Sequence, residues 1–283
     1  MNVVSEAKDR IVVGTDGSRR ADRAVDWAAG RAAALGLPLL ILHVVPGRPT
    51  PSTPLTAVTA SFEEGFHEEA LERLERVVRR AHELHADLDV TGEIVEGNAA
   101  HVLAQASKEA ALVVVGARGE SAPVTVRLLG GVSDQVTAYA VGPIAVIPDE
   151  EHASPDGPVV LGVDESPEAR AAMWFAFETA AARGVPVVAI HAWQDRDSRE
   201  IVARVTDIVD GMLTEARAEY PEVPVEVRVI HGKPHHELVQ ASKGAGLVVV
   251  GSRGIGGFTG LLLGSTSKRV LRDSHCPVVV TRD

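Results

Sequence analysis

The segment Leu247 to Cys276 reads L-V-V-V-G-S-R-G-I-G-G-F-T-G-L-L-L-G-S-T-S-K-R-V-L-R-D-S-H-C, and its glycines and hydroxyls have the types and spacing to hold an anion. Gly251, Gly254 and Gly264 carry no Cβ, so backbone amides of the loop can turn toward a phosphate that approaches closely. A helical pattern starts near Ser265 to Ser267. Its first amides are unpaired and stand at the positive end of the helix dipole, aimed at the same place. Ser265 and Ser267 can cap that helix or donate to a phosphate oxygen. A glycine-rich loop alone also describes a surface turn. What decides between the two is the framework that presents it.

That framework is a repeat. Ile11-Val-Val-Gly-Thr-Asp16-Gly-Ser18 returns as Val159-Val-Leu-Gly-Val-Asp164-Glu-Ser166, and Pro38 and His43 return as Pro186 and His191, all 148 positions on. Gln105 to Lys108 and Val113 to Gly116 return as Gln240 to Lys243 and Val248 to Gly251, 135 positions on. The difference falls in the Pro- and Thr-rich stretch Pro46 to Ala60, where a longer loop is expected in the first copy, over about 46–65. Pro148 to Pro158, acidic and with a proline at each end, reads as the linker. The expected domains are 1–149 and 155–283.

Within each copy short apolar runs alternate with helical periodicity. Ile11 to Gly14, Leu39 to Val44, Val90 to Val95, Leu112 to Val115 and Ile144 to Ile147 suit strands covered on both faces. After Ser18, the residues Ala21, Ala24, Val25, Ala28, Ala32 and Leu35 recur at helical spacing until Gly36 and Pro38 stop them. Ala70, Leu71, Leu74, Val77, Val78 and Ala81 are expected inward on the second helix. Further helices are expected near Ala100 to Ala110 and Val132 to Ala140. This alternation gives α/β domains with parallel strands and right-handed crossovers. In such a sheet ligands gather at the carboxyl ends of the strands, where Asp164 and Gly251 both fall.

The spacing Gly251, two residues, Gly254, nine residues, Gly264-Ser265 resembles the ATP-binding signature of the universal stress protein family, and the repeat extends the resemblance to a tandem member. It implies two five-stranded sheets of order 3-2-1-4-5, adenine nucleotide alpha hydrolase-like or Rossmann-like. It also implies ATP, with Mg2+ held mainly by the phosphates. By the same resemblance Asp164 and Asp16 contact the nucleoside, and Val44 and Ala192 line the adenine pocket. Gly251, Arg253, Gly254, Gly264, Ser265, Thr266 and Ser267 would surround the phosphates. Family members commonly pair through their last strand, which would join Ile144–Ile147 to Val278–Val280 as an intrachain pseudo-dimer. A homodimer of chains and an unidentified regulated protein, in a bacterial stress or growth-arrest response, complete the expectation.

The first copy departs from the signature. Gly116 and Gly119 keep their spacing, but ten residues precede Gly130, and Gly131 stands where the second copy has a serine. Glu120 adds an unfavourable charge, and Ser133 is the expected substitute donor. The first site is therefore expected to bind ATP more weakly or not at all.

Composition bounds the rest. A chain of 283 residues at 45% hydrophobic and 24% charged is that of globular domains, with cores of Val, Leu, Ile and Ala since aromatics are 4%. A net charge of −11 speaks against a nucleic-acid partner. No stretch resembles a signal peptide or a membrane span, and one cysteine, Cys276, allows no internal disulfide. A cytoplasmic location is expected. Absence of Gly-x4-Gly-Lys-Ser/Thr excludes a P-loop ATPase, and Thr15-Asp16-Gly17-Ser18 after the first strand argues against a dinucleotide dehydrogenase.

His43 and His191 read as strand-end structural residues. His67, His82, His85, His235 and His236 read as surface histidines, and Glu63, Glu64, Glu68 and Glu69 as a helix surface. Lys268, Arg269 and Arg272 read as a solvated face, and Cys276 as a buried structural thiol. A non-enzymatic nucleotide-dependent regulator is the leading function. A slow ATPase and a nucleotide-independent scaffold are the alternatives.

Overall fold

The computed structural model describes residues 3–47, 56–119, 129–149, 154, 156–193, 199–254 and 263–282. Glu120, the middle of the 148–158 linker, and residues 48–55 of the expected long loop lie outside them. The chain forms two compact units, one of Met1–Ala122, Gly130–Val136 and Ala140–Gly142, the other including Thr137–Tyr139 and Pro143–Asp283.

The first unit runs α1 (Val3–Glu6), β1 (Ile11–Thr15), α2 (Arg19–Leu35), β2 (Leu39–Val45), α3 (Thr56–Leu84), β3 (Val90–Glu96), α4 (Ala99–Ala106), β4 (Leu112–Gly116) and most of α5 (Gly131–Tyr139). Its strands lie in the order β3-β2-β1-β4, each pair parallel. These are the first four places of the expected order. Ile11, Val12, Val13 and Leu39 to Leu42 are fully buried, as strands with helices on both faces must be. Ser18 accepts the Ala21 amide at 3.2 Å and Gly36 takes the left-handed φ of 64° that ends α2.

Two expectations need correcting. The supposed loop over 46–65 is helical from Thr56, because the Ala- and Glu-rich sequence after Pro54 favours helix, and α3 reaches 29 residues. Leu71 is 43% exposed rather than inward. The buried stripe of α3 is Ala70, Leu74, Val77 and Ala81. At about 100° per residue, Leu71 points nearly a right angle away from its centre.

Charge fixes α3 to α2. Arg80 binds Asp26 bidentately at 2.6 and 2.7 Å, and Arg76 reaches Asp22 at 3.0 Å and the Gly17 carbonyl at 2.7 Å.

The second unit holds β5 (Ile144–Ile147), β6 (Val159–Gly162), α6 (Pro167–Arg183), β7 (Val187–Trp193), α7 (Arg199–Met212), α8 (Thr214–Glu219) and β8 (Val225–His231). It continues with α9 (Pro234–Ala241), a 3-10 turn, β9 (Leu247–Gly251), α10 (Ser265–Asp273) and β10 (Val278–Thr281). The order β8-β7-β6-β9-β10 is the expected 3-2-1-4-5 in full, with all four pairs parallel. Ser166 caps α6 through the Ala169 amide with Pro167 next to it, and Gly184 closes it at φ 63°. The last-strand pairing is present too. β5 lies antiparallel on β10, with Val146 opposite Val278 and Ile144 opposite Val280.

Candidate functional site

β6 and β9 are parallel neighbours, so the turns that leave their carboxyl ends rise side by side. The turn after β6 is shaped by Asp164. Its Oδ1 accepts the Ser166 amide at 3.0 Å and also the Ser166 hydroxyl, while a Cβ added at Gly254 would collide with its Oδ2. The carboxylate thus packs on the backbone of the glycine loop. Only a residue without a side chain leaves room for it. The first unit repeats this: Asp16 Oδ1 accepts the Ser18 amide at 3.0 Å, and its Oδ2 would lie 2.7 Å from a Cβ at Gly119.

Gly264 closes the loop, its amide donating to the Ser252 carbonyl at 2.7 Å. Gly130 does the same to Ala117 at 2.8 Å. The Gly264 amide is therefore committed to the loop and does not serve an anion, contrary to what loop composition suggested. The first bond of α10 is Lys268 N–H to Gly264 O at 3.0 Å, so the amides of Ser265, Thr266 and Ser267 precede the helical ladder. The N-cap is Gly264, which brings no side-chain cap. Ser265 and Lys268 are exposed beside these amides, and Thr266 is half-buried.

Ser267 has another task. It is 4% exposed, and its hydroxyl donates to the Gly251 carbonyl at 2.7 Å, fastening α10 to the end of β9. Ser133 is its counterpart, donating to the Gly116 carbonyl at 2.6 Å. Ser133 therefore occupies the position of Ser267 and cannot replace the hydroxyl missing at Gly131, because its single proton is already used.

Other features of the two sites lay beyond reach of the motif. Arg253 pairs with Glu168 at 2.6 Å, and that carboxylate is 8% exposed. The corresponding residues of the first unit are Arg118 and Arg20, whose Nη1 donates to the Gly119 carbonyl at 3.2 Å. In the first turn of the last helix, the second unit has Lys268 where the first unit has Asp134, a reversal of charge beside the amides. Aligning the first helical turns instead of the glycines alone would have found it. Arg73 of α3 donates to the Asp16 carbonyl at 3.2 Å and packs against Gly17, so the first crevice carries an arginine from another helix.

His43 and His191 act as strand-end ties. Each turns Nδ1 to a carbonyl of the neighbouring strand end, Thr15 at 3.0 Å and Val163 at 2.9 Å. The carbonyl can only accept, so Nδ1 carries the proton. Burial holds the His43 imidazole below its usual pKa, and Arg73 adds to this. The ties place Val44 and Ala192, both half-buried, at the carboxyl edge next to the two aspartates' turns. Trp193 follows Ala192 with its ring edge-on to His231 at 5.6 Å. Cys276 is fully buried, which pushes its thiol up to about 12.

The sequence profile of the universal stress protein family matches residues 8–148 and again 157–282. The chain belongs to this family. A universal stress protein of Mycolicibacterium smegmatis is 37% identical over 99% of both chains, and one of Mycobacterium tuberculosis is 35% identical over 96% of this chain and 94% of its own. Among solved structures, a universal stress protein from Archaeoglobus fulgidus matches with a TM-score of 0.72 and 25% identity, covering 97% of this chain and 98% of that one. The tandem α/β arrangement is thus that of the family, with two copies in one chain. Among the described residues no helix is long and apolar enough to cross a membrane.

Proposed function

We propose that the chain is a nucleotide-dependent regulator that binds ATP at the carboxyl ends of β6 and β9, within the domain 155–283. What carries this reading is the convergence of Asp164, packed on Gly254, with the glycine-capped start of α10 and the exposed Ser265. In it the amides of Ser265 to Ser267 and the Ser265 and Thr266 hydroxyls take the phosphates, Lys268 and Arg253 stand near them, and Asp164 and Ala192 receive the nucleoside. Gly251 and Gly264 shape the loop. Ser267 positions the helix without touching ligand.

The donors fit a polyphosphate, being amides, hydroxyls and two cations in one place. Among the described residues no three His, Cys, Asp or Glu side chains converge to hold a metal. A magnesium ion would therefore be carried mainly by the phosphates, neutralising part of their charge.

The first crevice, formed by Asp16, Val44, Gly116, Gly119, Gly130 and Gly131, is the weaker site. Gly131 lacks the hydroxyl, Ser133 is committed to Gly116, and Asp134 replaces a lysine. Arg20 and Arg118 oppose this trend without removing it. A lost hydroxyl donor to a charged oxygen costs about 1.5–3 kcal/mol, roughly ten- to a hundredfold in affinity. In this reading the chain acts on an unidentified partner protein, as a cytoplasmic homodimer or as a pseudo-dimer within one chain, and serves as a regulator rather than an enzyme.

Titrating Mg-ATP calorimetrically into the wild type, Asp164→Ala and Asp16→Ala tests the reading. The expected result is one strong site that Asp164→Ala abolishes and Asp16→Ala leaves intact. Equal losses in the two variants, or no heat at millimolar ATP, would refute it, and phosphate release near 1 s⁻¹ or faster would make the chain an ATPase.

A further inference from the structure

The second unit carries a cationic face although the chain as a whole has a net charge of −11. α9 follows β8, α10 follows β9, and the two helices pack against each other. Ser267, Val270 and Leu271 form the buried side of α10, so at about 100° per residue Lys268, Arg269 and Arg272 stand on its outer side. All three are exposed, as are Lys233 and His236 at the start of α9. His235, half-buried, brings its ring against Arg269, whose Nη1 lies 3.4 Å from Nδ1 and 3.3 Å from Nε2. An atom so nearly equidistant from both nitrogens sits over the ring face, since in the ring plane it would strike Cε1. The contact ties the start of α9 to α10.

The first copy lacks this face. Its counterparts of Lys233, His235, Lys268, Arg269 and Arg272 are Asn98, Ala100, Asp134, Gln135 and Ala138, and only His236 keeps its type, as His101. The shared framework therefore does not require the cations. They are particular to the copy with the intact glycine spacing.

Nearby acids do not cancel the face. Asp273 is bound bidentately by Arg272 at 2.9 and 2.8 Å. A Cβ on Gly232 would meet Glu237 Oε1 at 2.7 Å, so that carboxylate is turned back on the loop before α9. Among the described residues no carboxylate pairs with Lys233 or Arg269. His235 registers the resulting field: burial lowers its pKa first, and Arg269, Lys233 and His236 lower it further against Asp273.

Such a face is broader than one phosphate. Arg269 and Arg272 are about 4.5 Å apart along α10, and packed helix axes lie about 8–10 Å apart. An extended peptide places the side chains of one face roughly 6.6–7 Å apart. Alternate carboxylates of an acidic segment can therefore reach cations on both helices. A nucleic-acid strand would run on beyond the face into the repulsive field of the acidic chain.

We propose that the outer face of α9 and α10 docks an acidic segment of a partner protein, its carboxylates held by Lys233, His235 and Arg269. This deepens the regulatory reading and rests on it for the existence of a partner. Because α10 begins at the nucleotide crevice, one helix would meet phosphate at its first turn and the partner along its length.

The test titrates the nucleotide-free full chain with N-acetylated hexaglutamate amide at near-physiological salt, read by calorimetry and peptide-observed NMR, with hexaglutamine and a thymidine hexanucleotide as controls. Saturable binding of hexaglutamate is expected at roughly 0.1–1 mM. Arg269→Gln and Lys233→Gln should each weaken it about two- to fivefold, the scale of one exposed ion pair. Arg269→Glu should weaken it about tenfold, whereas Arg204→Glu on α7, the same change in net charge, should weaken it about twofold at most. Circular dichroism checks that the variants fold, and Lys233→Glu repeats the test should Arg269→Glu unfold the chain.

No saturable binding up to about 10 mM, equal binding of hexaglutamine, an equal loss in Arg204→Glu, or tighter binding of the oligonucleotide would each overturn the proposal. Since no nucleotide is present, a chain that binds the peptide but not ATP keeps the docking face and loses the ATP reading, and the opposite result does the reverse.

Discussion

Replacing Gly254 by Ala probes how the two strand ends are joined. The new Cβ would strike Asp164 Oδ2, whereas at Gly119 the corresponding atom would stand 2.7 Å from Asp16 Oδ2. Normal carbon–oxygen contact is about 3.3 Å, so the Asp164 carboxylate must retreat by about 1 Å and that of Asp16 by about 0.5 Å. The Ser166 amide bond, at 3.0 Å, then exceeds hydrogen-bonding range, while the equivalent Ser18 bond, also 3.0 Å, is only stretched.

A hydrogen bond to a charged group contributes about 1.5–3 kcal/mol. Neither glycine has a left-handed φ, so alanine recovers about 0.4–1 kcal/mol by restricting the unfolded chain. The net destabilisation expected is about 1–2 kcal/mol for Gly254→Ala and near zero for Gly119→Ala. Urea unfolding followed by circular dichroism, with unchanged m-values, measures both. ATP affinity should fall at least about tenfold in Gly254→Ala, since the displaced carboxylate is the proposed nucleoside contact. A Gly254→Ala protein as stable as wild type and binding ATP equally well would show that the carboxylate is not held on that glycine, and the account of the crevice would fail.

Two further outcomes follow from the same geometry. Ser267→Ala and Ser133→Ala should each lower stability by about 1–3 kcal/mol by leaving a strand-end carbonyl without its donor, with ATP affinity much less affected than in Ser265→Ala. A Ser267→Ala protein of unchanged stability and tenfold weaker binding would mean that the hydroxyl turns to the ligand. Burial depresses the His43 pKa below the unfolded 6.5. The unfolded chain therefore takes up a proton first, and stability, complete above about pH 6.5, should decline as pH falls through the lower folded value. His43→Gln should flatten that decline in urea titrations across pH 7 to 5, and an unchanged slope would assign the effect elsewhere.

Much of the fold was legible because its signals are local. Ser18 announced its helix and Gly36 ended it, since a cap needs only a hydroxyl at one end and a left-handed residue at the other. The repeat exposed the doubling, and apolar runs marked the strands within one or two residues. The misreadings arose where local signals are ambiguous. Prolines and threonines at 46–54 hid the helix that begins at Thr56, and Leu71 joined an apolar stripe only because its neighbours are apolar.

In the site, residue types indicated which groups could meet but not what each one would do. The chain by itself determined two α/β copies, the glycine spacing of the second and its decay in the first, because those depend on composition and order along the backbone. Only the tertiary structure decided that Ser267, Ser133 and the Gly264 amide are spent on the protein's own carbonyls, that Arg253 is paired with Glu168, and that His235 of α9 meets Arg269 of α10. Hydrogen-bond donors are finite, and which acceptor takes a proton depends on distances that arise only when strands far apart in sequence are laid side by side.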